Sequence, residues 1–285
     1  MRRAFLILVV FAISAICVDY PQRIVSLSPD LTEILYGIGA FRRVVAVSNY
    51  DTYPPETAKL PHLGQLHDPS LEQLAGVHPD LVVINQAQAP FLEDTLKQLG
   101  FRILKTTNQS VQEVYSAITL IGHATGNDAQ AAKLVAQTRE GLDHVAHKTA
   151  GAPKPRIVLI VDRLPGTLRD LYTATDGSYL AELVNIAGGR IAVPPVEHGY
   201  KKLNKEDLLA LDPEVILDFI QGAKSRFAGD PLEDWKELPE LIAVRAHRVY
   251  EVNEDYVPHA SQRIVQTAEL FAKLIHPEIK GLSPN

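Results

Sequence analysis

The chain has 285 residues, 46% of them hydrophobic, and a formal charge of −6. That composition belongs to an ordinary globular protein long enough for two domains. The acidic balance, with no basic cluster, argues against a nucleic-acid surface, and a single cysteine, Cys17, excludes an internal disulfide.

Residues 1–17 read as a secretory signal: Arg2 and Arg3, then an apolar run closing on small residues. The run is short for a membrane span, and no later stretch approaches that length. Losing it takes the formal charge from −6 to about −8. Cys17 stands where a bacterial lipoprotein is acylated, although Ile16 replaces the small residue that usually precedes it. A lipid anchor at Cys17 and cleavage by the ordinary signal peptidase both remain open.

From Arg23 onward, short β-branched runs alternate with helical periodicity. Ile24–Ser28 reads as a strand, and Asp30-Leu-Thr-Glu33 as a capping box that opens the next helix. Strands are expected at Val44–Ser48, Leu81–Asn85 and Arg102–Thr106, and a helix from Val111 to about Ala124 closes the first lobe. The alternation predicts an α/β fold with mostly parallel, doubly wound sheets. After the break at Gly126-Asn127, Asp128 to about Ala150 keeps apolar residues at helical spacing (Ala132, Leu134, Val135, Leu142, Val145). Such a helix is about 33 Å long, enough to join two lobes; taken alone, the segment is also an ordinary amphipathic surface helix. Gly151–Pro155 is a stiff exit. A second lobe then runs from Arg156–Val161 through Val215–Asp218 and Arg248–Val252 to a last helix over about Ser261–Ile275. The expected organisation is a signal at 1–17, an N-terminal lobe at 22–127, an interlobe helix at 128–150 and a C-terminal lobe at 155–278.

One unit occurs twice. Ser70-Leu-Glu-Gln-Leu-Ala-Gly-Val-His-Pro-Asp-Leu-Val-Val83 recurs 134 residues later as Asn204-Lys-Glu-Asp-Leu-Leu-Ala-Leu-Asp-Pro-Glu-Val-Ile-Leu217. Each copy has a capping residue (Ser70, Asn204) and a glutamate at the second helical position (Glu72, Glu206), favoured there by the helix dipole. A helix-stopping proline, an acid and a strand follow. Glu33–Gly39 is echoed by Glu182–Gly188, 149 residues on. Helix-to-strand units look alike in many α/β proteins, but two echoes in the same order point to two similar lobes.

Ligands of doubly wound sheets bind beyond the carboxyl ends of the strands. Those positions hold Asn49-Tyr-Asp-Thr-Tyr53, Asn85-Gln-Ala-Gln88, Asp162-Arg163 with Tyr172 further on, and Asn253–His259, while Tyr200 precedes the second repeat. Tyrosines and amides suit a large, flat, partly polar ligand, which makes Tyr50, Asn85, Gln86, Tyr172 and Tyr200 binding candidates. The chain has no Gly-x-Gly-x-x-Gly, P-loop or Gly-x-Ser-x-Gly, so no catalytic residue is assigned. The histidines are scattered. A metal site built from His67, His198 and His259 is the form an enzymatic rival would take, but no metal is expected.

With these residues laid out, the chain resembles the periplasmic vitamin B12-binding proteins, the substrate-binding components of ABC importers. The resemblance runs from Arg23 to the last helix. It rests on Arg23-Ile-Val-Ser-Leu-Ser-Pro29, Ser48-Asn-Tyr-Asp-Thr-Tyr-Pro-Pro55, Ser70-Leu-Glu-Gln-Leu74, Pro79-Asp-Leu-Val82, Asp176-Gly-Ser178 and Ala260-Ser-Gln-Arg-Ile264. It implies two α/β lobes on one rigid helix, a corrinoid held between them, and delivery to a membrane permease by a monomeric protein that needs no cofactor. It places Tyr50, Tyr172, Tyr200 and Tyr256 at aromatic contacts and Asp255 at a polar one. Leu66 and Asn85 stand where such proteins can carry tryptophans, and Glu72 and Glu206 where they dock onto the permease. The same superfamily includes haem and siderophore binders. Haem is the main rival ligand, with Tyr50 or Tyr53 as a phenolate to iron and Arg163 and Arg263 as candidate propionate partners. An exported chelatase or metal-dependent hydrolase, and a sensor that engages a membrane receptor, are the alternatives from other classes.

Overall fold

The computed structural model describes residues 19–164, 166–197, 199–219 and 231–281; the expected signal, Cys17 and His198 lie outside them. Two sheets organise the chain. In the first, β1 (Ile24–Ser26), β2 (Val44–Ala46), β5 (Leu81–Asn85) and β6 (Ile103–Thr106) lie in the order β2-β1-β5-β6, all parallel. A small hairpin, β3 (Gly64–Gln65) and β4 (Asp68–Pro69), lies outside this sheet. Residues alternate between two cores, with Ile24, Leu81 and Val83 in one and Val25, Val82 and Ile84 in the other. Both faces are therefore covered, as a parallel sheet requires.

The second sheet contains β7 (Arg156–Asp162), β8 (Leu171–Ala174), β9 (Arg190–Ile191), β10 (Tyr200–Leu203), β11 (Val215–Phe219) and β12 (Val249–Val252). Its path is β10-β8-β7-β11-β12, with β9 beside β7. The pairs β7–β11, β11–β12 and β7–β9 are parallel, whereas β8 runs antiparallel to both of its neighbours, β7 and β10. Arg163–Asp170, which joins β7 to β8, is too short to hold the crossover helix that a parallel return needs.

The helices are α1 (Pro29–Gly37), α2 (Leu71–Gly76), α3 (Ala89–Gln98), α4 (Val111–Thr125), α5 (Asp128–Thr149), α6 (Tyr179–Ile186), α7 (Lys205–Leu211), α8 (Ile242–Arg245) and α9 (Ile264–Ile275). The 22-residue α5 lies between the two sheets in the chain and packs against α1 and α4 on one side and α6 and α9 on the other. Its buried stripe starts at Ala131 rather than the expected Ala132, and continues through Thr138, Leu142 and Val145. Two glycines permit the close packing. A Cβ on Gly122 of α4 would stand 2.3 Å from the Ala131 methyl, and one on Gly141 of α5 would stand 2.6 Å from Val265 of α9. The larger hydrophobic core is continuous across both lobes. Among the described residues, no helix is long and apolar enough to cross a membrane.

The expected capping box at Asp30–Glu33 does not form. Pro29, with φ already fixed and no N–H to satisfy, begins α1 two residues earlier, with Ser28 rather than Asp30 in the cap position. The Ser28 hydroxyl donates to Asp30, and Glu33 turns toward the second lobe.

The repeat is more extensive in space than in sequence. Ser70 accepts from Gln73 N at 3.3 Å, and Asn204 exchanges bonds with Asp207 in a full capping box. Both helices end on a left-handed residue before the proline, His78 (φ 45°) and Asp212 (φ 38°). Arg23 Nε then donates to the carbonyls of Val77 and His78, and Arg156 Nη2 to that of Asp212. The acid after each proline accepts from the backbone at the entry to the lobe's first strand: Asp80 from Gln22 N and Arg23 N, Glu214 from Arg156 N.

Candidate functional site

Between the two lobes, beyond the carboxyl ends of β5, β6 and β11, lies a cavity of about 630 Å³, a normal size for a small-molecule site. Leu159, Val161, Phe219 and Val257 give it an apolar wall on the second lobe. Its polar lining consists of amides and hydroxyls: Gln86, Asn108 and Gln109 from the first lobe, Ser178, Tyr179 and Tyr200 from the second. Among the described residues, no Asp, Glu, Lys, Arg or His lines it.

Some of these groups are already occupied. Ser178 caps α6, accepting from Ala181 N and donating to Thr175 O, and the Tyr179 hydroxyl donates to Val257 O. Asn108 Nδ2 donates to the buried carboxylate of Asp30 at 3.3 Å. Tyr200 is 38% exposed as a whole, but desolvation of its phenol pushes the pKa up to about 12, so it stays a neutral donor.

Of the residues singled out from sequence, Gln86 and Tyr200 line the cavity. Tyr172 follows on the same strand face as Tyr200: it pairs with Lys202, as Ala174 pairs with Tyr200. Tyr50 is exposed on the first lobe, its hydroxyl 3.4 Å from Gln65 Oε1. Leu66 lies in the β3–β4 turn, where its carbonyl accepts from Gln88 Nε2. Asn85 is only 7% exposed, and its amide is taken up by Gln88 N and Ser28 Oγ. Asn108 and Gln109 are absent from the sequence reading; they follow β6 directly, and that position was the available signal.

Asp255 and Tyr256 belong to a bridge between the lobes. Asp255 accepts from Thr52 Oγ1 at 2.8 Å, and Tyr256 and Tyr53 flank the Arg263 guanidinium at 4.8 and 4.6 Å. At the centre is Glu33, whose side chain is 1% exposed. It takes Arg263 Nη1 at 2.9 Å, His259 Nδ1 at 2.8 Å and the Ser261 hydroxyl, while its own carbonyl accepts from Gln262. Its counterpart, Glu182, also crosses the cleft, accepting from Val111 N at the start of α4.

The two arginines weighed as partners for anionic ligand groups are thus engaged elsewhere. Arg263 is tied to Glu33, and Arg163 is buried against Asp218 (3.0 Å) and Asp234 (2.8 Å). His67 packs on Phe91 and His259 on Glu33, and no group of three or more potential metal ligands occurs among the described residues. Glu72 and Glu206, neither of which lines the cavity, occupy matching positions on α2 and α7, both exposed. Neither has an ion-pair partner among the described residues.

Residues 24–256 match the periplasmic binding protein family. The chain belongs to that family. An ABC transporter substrate-binding lipoprotein of Bacillus subtilis (strain 168), itself uncharacterised, is 30% identical over 90% of this chain and 81% of its own length. The vitamin B12-binding protein of Vibrio cholerae is 26% identical over 87% of each chain. The crystal structure of that organism's periplasmic vitamin B12-binding protein superposes with a TM-score of 0.76 at 25% identity, covering 92% of this chain and 99% of that one. A periplasmic heme-binding protein from Roseiflexus sp. RS-1 superposes with a TM-score of 0.79 at 24% identity, covering 90% and 98%. As in other periplasmic binding proteins of this class, two α/β lobes are joined through one long helix.

Proposed function

We propose that this chain is the exported substrate-binding component of an ABC importer, capturing cobalamin or a related corrinoid between its lobes without chemically changing it. The observation that carries the choice of ligand is the polar lining of the cavity: Gln86, Asn108, Gln109 and Tyr200 are neutral hydrogen-bonding groups beside an apolar wall. A corrinoid is a flat macrocycle fringed by primary amides, which such groups complement. Haem carries two carboxylates instead, and the arginines that would meet them are already paired within the protein. On this reading the exposed Tyr50 and Tyr172 add aromatic surface for the ligand. On this reading Glu72 and Glu206 dock onto arginines of a two-subunit permease, one from each lobe. The monomer works outside the cytoplasm, either released or anchored through a lipid on Cys17.

Calorimetric titration of protein lacking residues 1–17 with cyanocobalamin, then with haemin, tests the proposal. One-to-one cobalamin binding at sub-micromolar concentration is the expected result, weakened about tenfold or more by Tyr200→Ala. No response to cobalamin with tight haemin binding would transfer the same cleft to haem. Silence with both directs the search to ferric siderophores.

A further inference from the structure

The cavity holds one amide whose orientation is imposed from behind by a buried chain of hydrogen bonds. Gln88 N donates to Asn85 Oδ1 at 3.2 Å, which leaves the Asn85 amino group to donate to Ser28 Oγ, also at 3.2 Å. The Ser28 hydroxyl, having accepted, donates its proton to Asp30 Oδ1. On the other side of the same carboxylate, Asp30 Oδ2 accepts from Asn108 Nδ2 at 3.3 Å. All the bonds run toward Asp30. Burial raises the Asp30 pKa, but both of its oxygens already accept, Oδ1 from Ser28 and Oδ2 from Asn108, and this arrangement holds the amino end of Asn108 and leaves its carbonyl end free. Asn108 Oδ1 takes no hydrogen bond from a described residue, and Asn108 lines the cavity. Asn85, Ser28 and Asp30 are all more than nine-tenths buried, so water does not scramble the order.

We infer that Asn108 is a specificity-determining residue of the cleft, with Asp30 as its positioning residue: the Asn108 carbonyl oxygen selects a ligand group that donates N–H and rejects a carboxylate in the same place. This rests on the corrinoid reading above. A primary amide on the ligand rim satisfies Oδ1. A carboxylate of the same shape sets lone pair against lone pair and leaves the acceptor unmet once the ligand covers it, the situation in which polar sites discriminate best. Gln86 and Gln109 have no such constraint among the described residues and can turn to suit either group.

The test uses cyanocobalamin and its three monocarboxylic acids, each with one propionamide hydrolysed. The net negative charge of the protein penalises all three acids alike, whereas Asn108 acts on one position. The expected result is that one acid binds about tenfold or more weakly than cyanocobalamin while the other two stay within about threefold. In Asn108→Ala that gap closes to about twofold. In Asp30→Asn, whose amide can donate to Asn108 Oδ1 and turn its amino group to the cavity, the gap closes or reverses; a purely structural role for Asp30 would lower affinity for all four ligands together. If wild-type protein binds cyanocobalamin but treats the three acids alike, or if the gap persists in both variants, the role of Asn108 is overturned and the corrinoid reading stands. No binding of cyanocobalamin overturns both.

Discussion

In the first lobe Arg23 and Asp80 fasten the end of α2 to β1, and in the second Arg156 and Glu214 fasten the end of α7 to β7 in the same way. At the cleft the correspondence breaks down. The first lobe presents amides from two loops, while the second presents an apolar wall and the β8–β10 ribbon carrying Tyr172 and Tyr200. The glutamates of the second echo show the divergence within a single pair. Glu33 and Glu182 both reach the opposite lobe, but Glu33 is buried among Arg263, His259 and Ser261, whereas Glu182 is half-buried and meets one backbone N–H. Buried acids differ as well. Asp218 has Arg163 and Trp235 as partners, while Asp51 has no cation, and its Oδ1 lacks a hydrogen-bond partner among the described residues. The repeat builds two equivalent frames; recognition and lobe coupling reside where the copies part.

Breaking the glutamate pair should give the largest effect. Glu33→Ala strands Arg263 and His259 in a buried setting and should cost about 3–5 kcal/mol, against about 1 kcal/mol for Glu182→Ala. Denaturant unfolding of the two variants measures the difference, and equal losses would mean that the lobes are coupled symmetrically. The buried acids give the next contrast. Burial lifts the Asp51 pKa from 3.8 to about 6, so the folded chain holds that proton more tightly than the unfolded one. Its contribution to stability is fully present below 3.8 and lost as pH rises through about 6. Asp51→Asn should therefore stabilise the protein at pH 7, on the order of 2 kcal/mol, and flatten that part of the pH profile. Thermal melts across the range check this. The smallest change in stability belongs to the exposed pair: Glu72→Ala with Glu206→Ala should shift stability by less than about 0.5 kcal/mol. Ligand affinity should be unchanged and permease-stimulated uptake lost, which reconstituted transport measures.

Much of the frame was legible because local signals agreed with tertiary need. Ser70 and Asn204 cap helices as their positions demanded, and the spacing from Asp128 gave a helix that ends within one residue of expectation. The cleft was harder to read. Gln86 obeys the strand-end rule and Tyr200, at the start of its strand, lines the cavity without it, whereas Asn85 has the right position and the wrong orientation, its amide turned into the protein. Glu33 resembled a helix cap because its partners, His259 to Arg263, lie more than 220 residues away and leave no local trace. The antiparallel ribbon was missed for a similar reason, since loop length rather than strand pattern dictates its direction.

The arginine clasps also bear on how the chain folds. Arg23 closes a loop of 55 residues on His78, and Arg156 one of 56 residues on Asp212, each wholly within its own lobe. Loop-closure entropy grows only slowly with length, so the two closures cost nearly the same and neither depends on the other. Contacts from Glu33 to His259 and Arg263 span 226 and 230 residues and require both lobes already formed. The order that follows is two parallel nucleations on either side of α5 and a late docking step, so a pulse-labelling experiment should find Arg23 and Arg156 neighbourhoods protected together, well before the neighbourhood of Ser261.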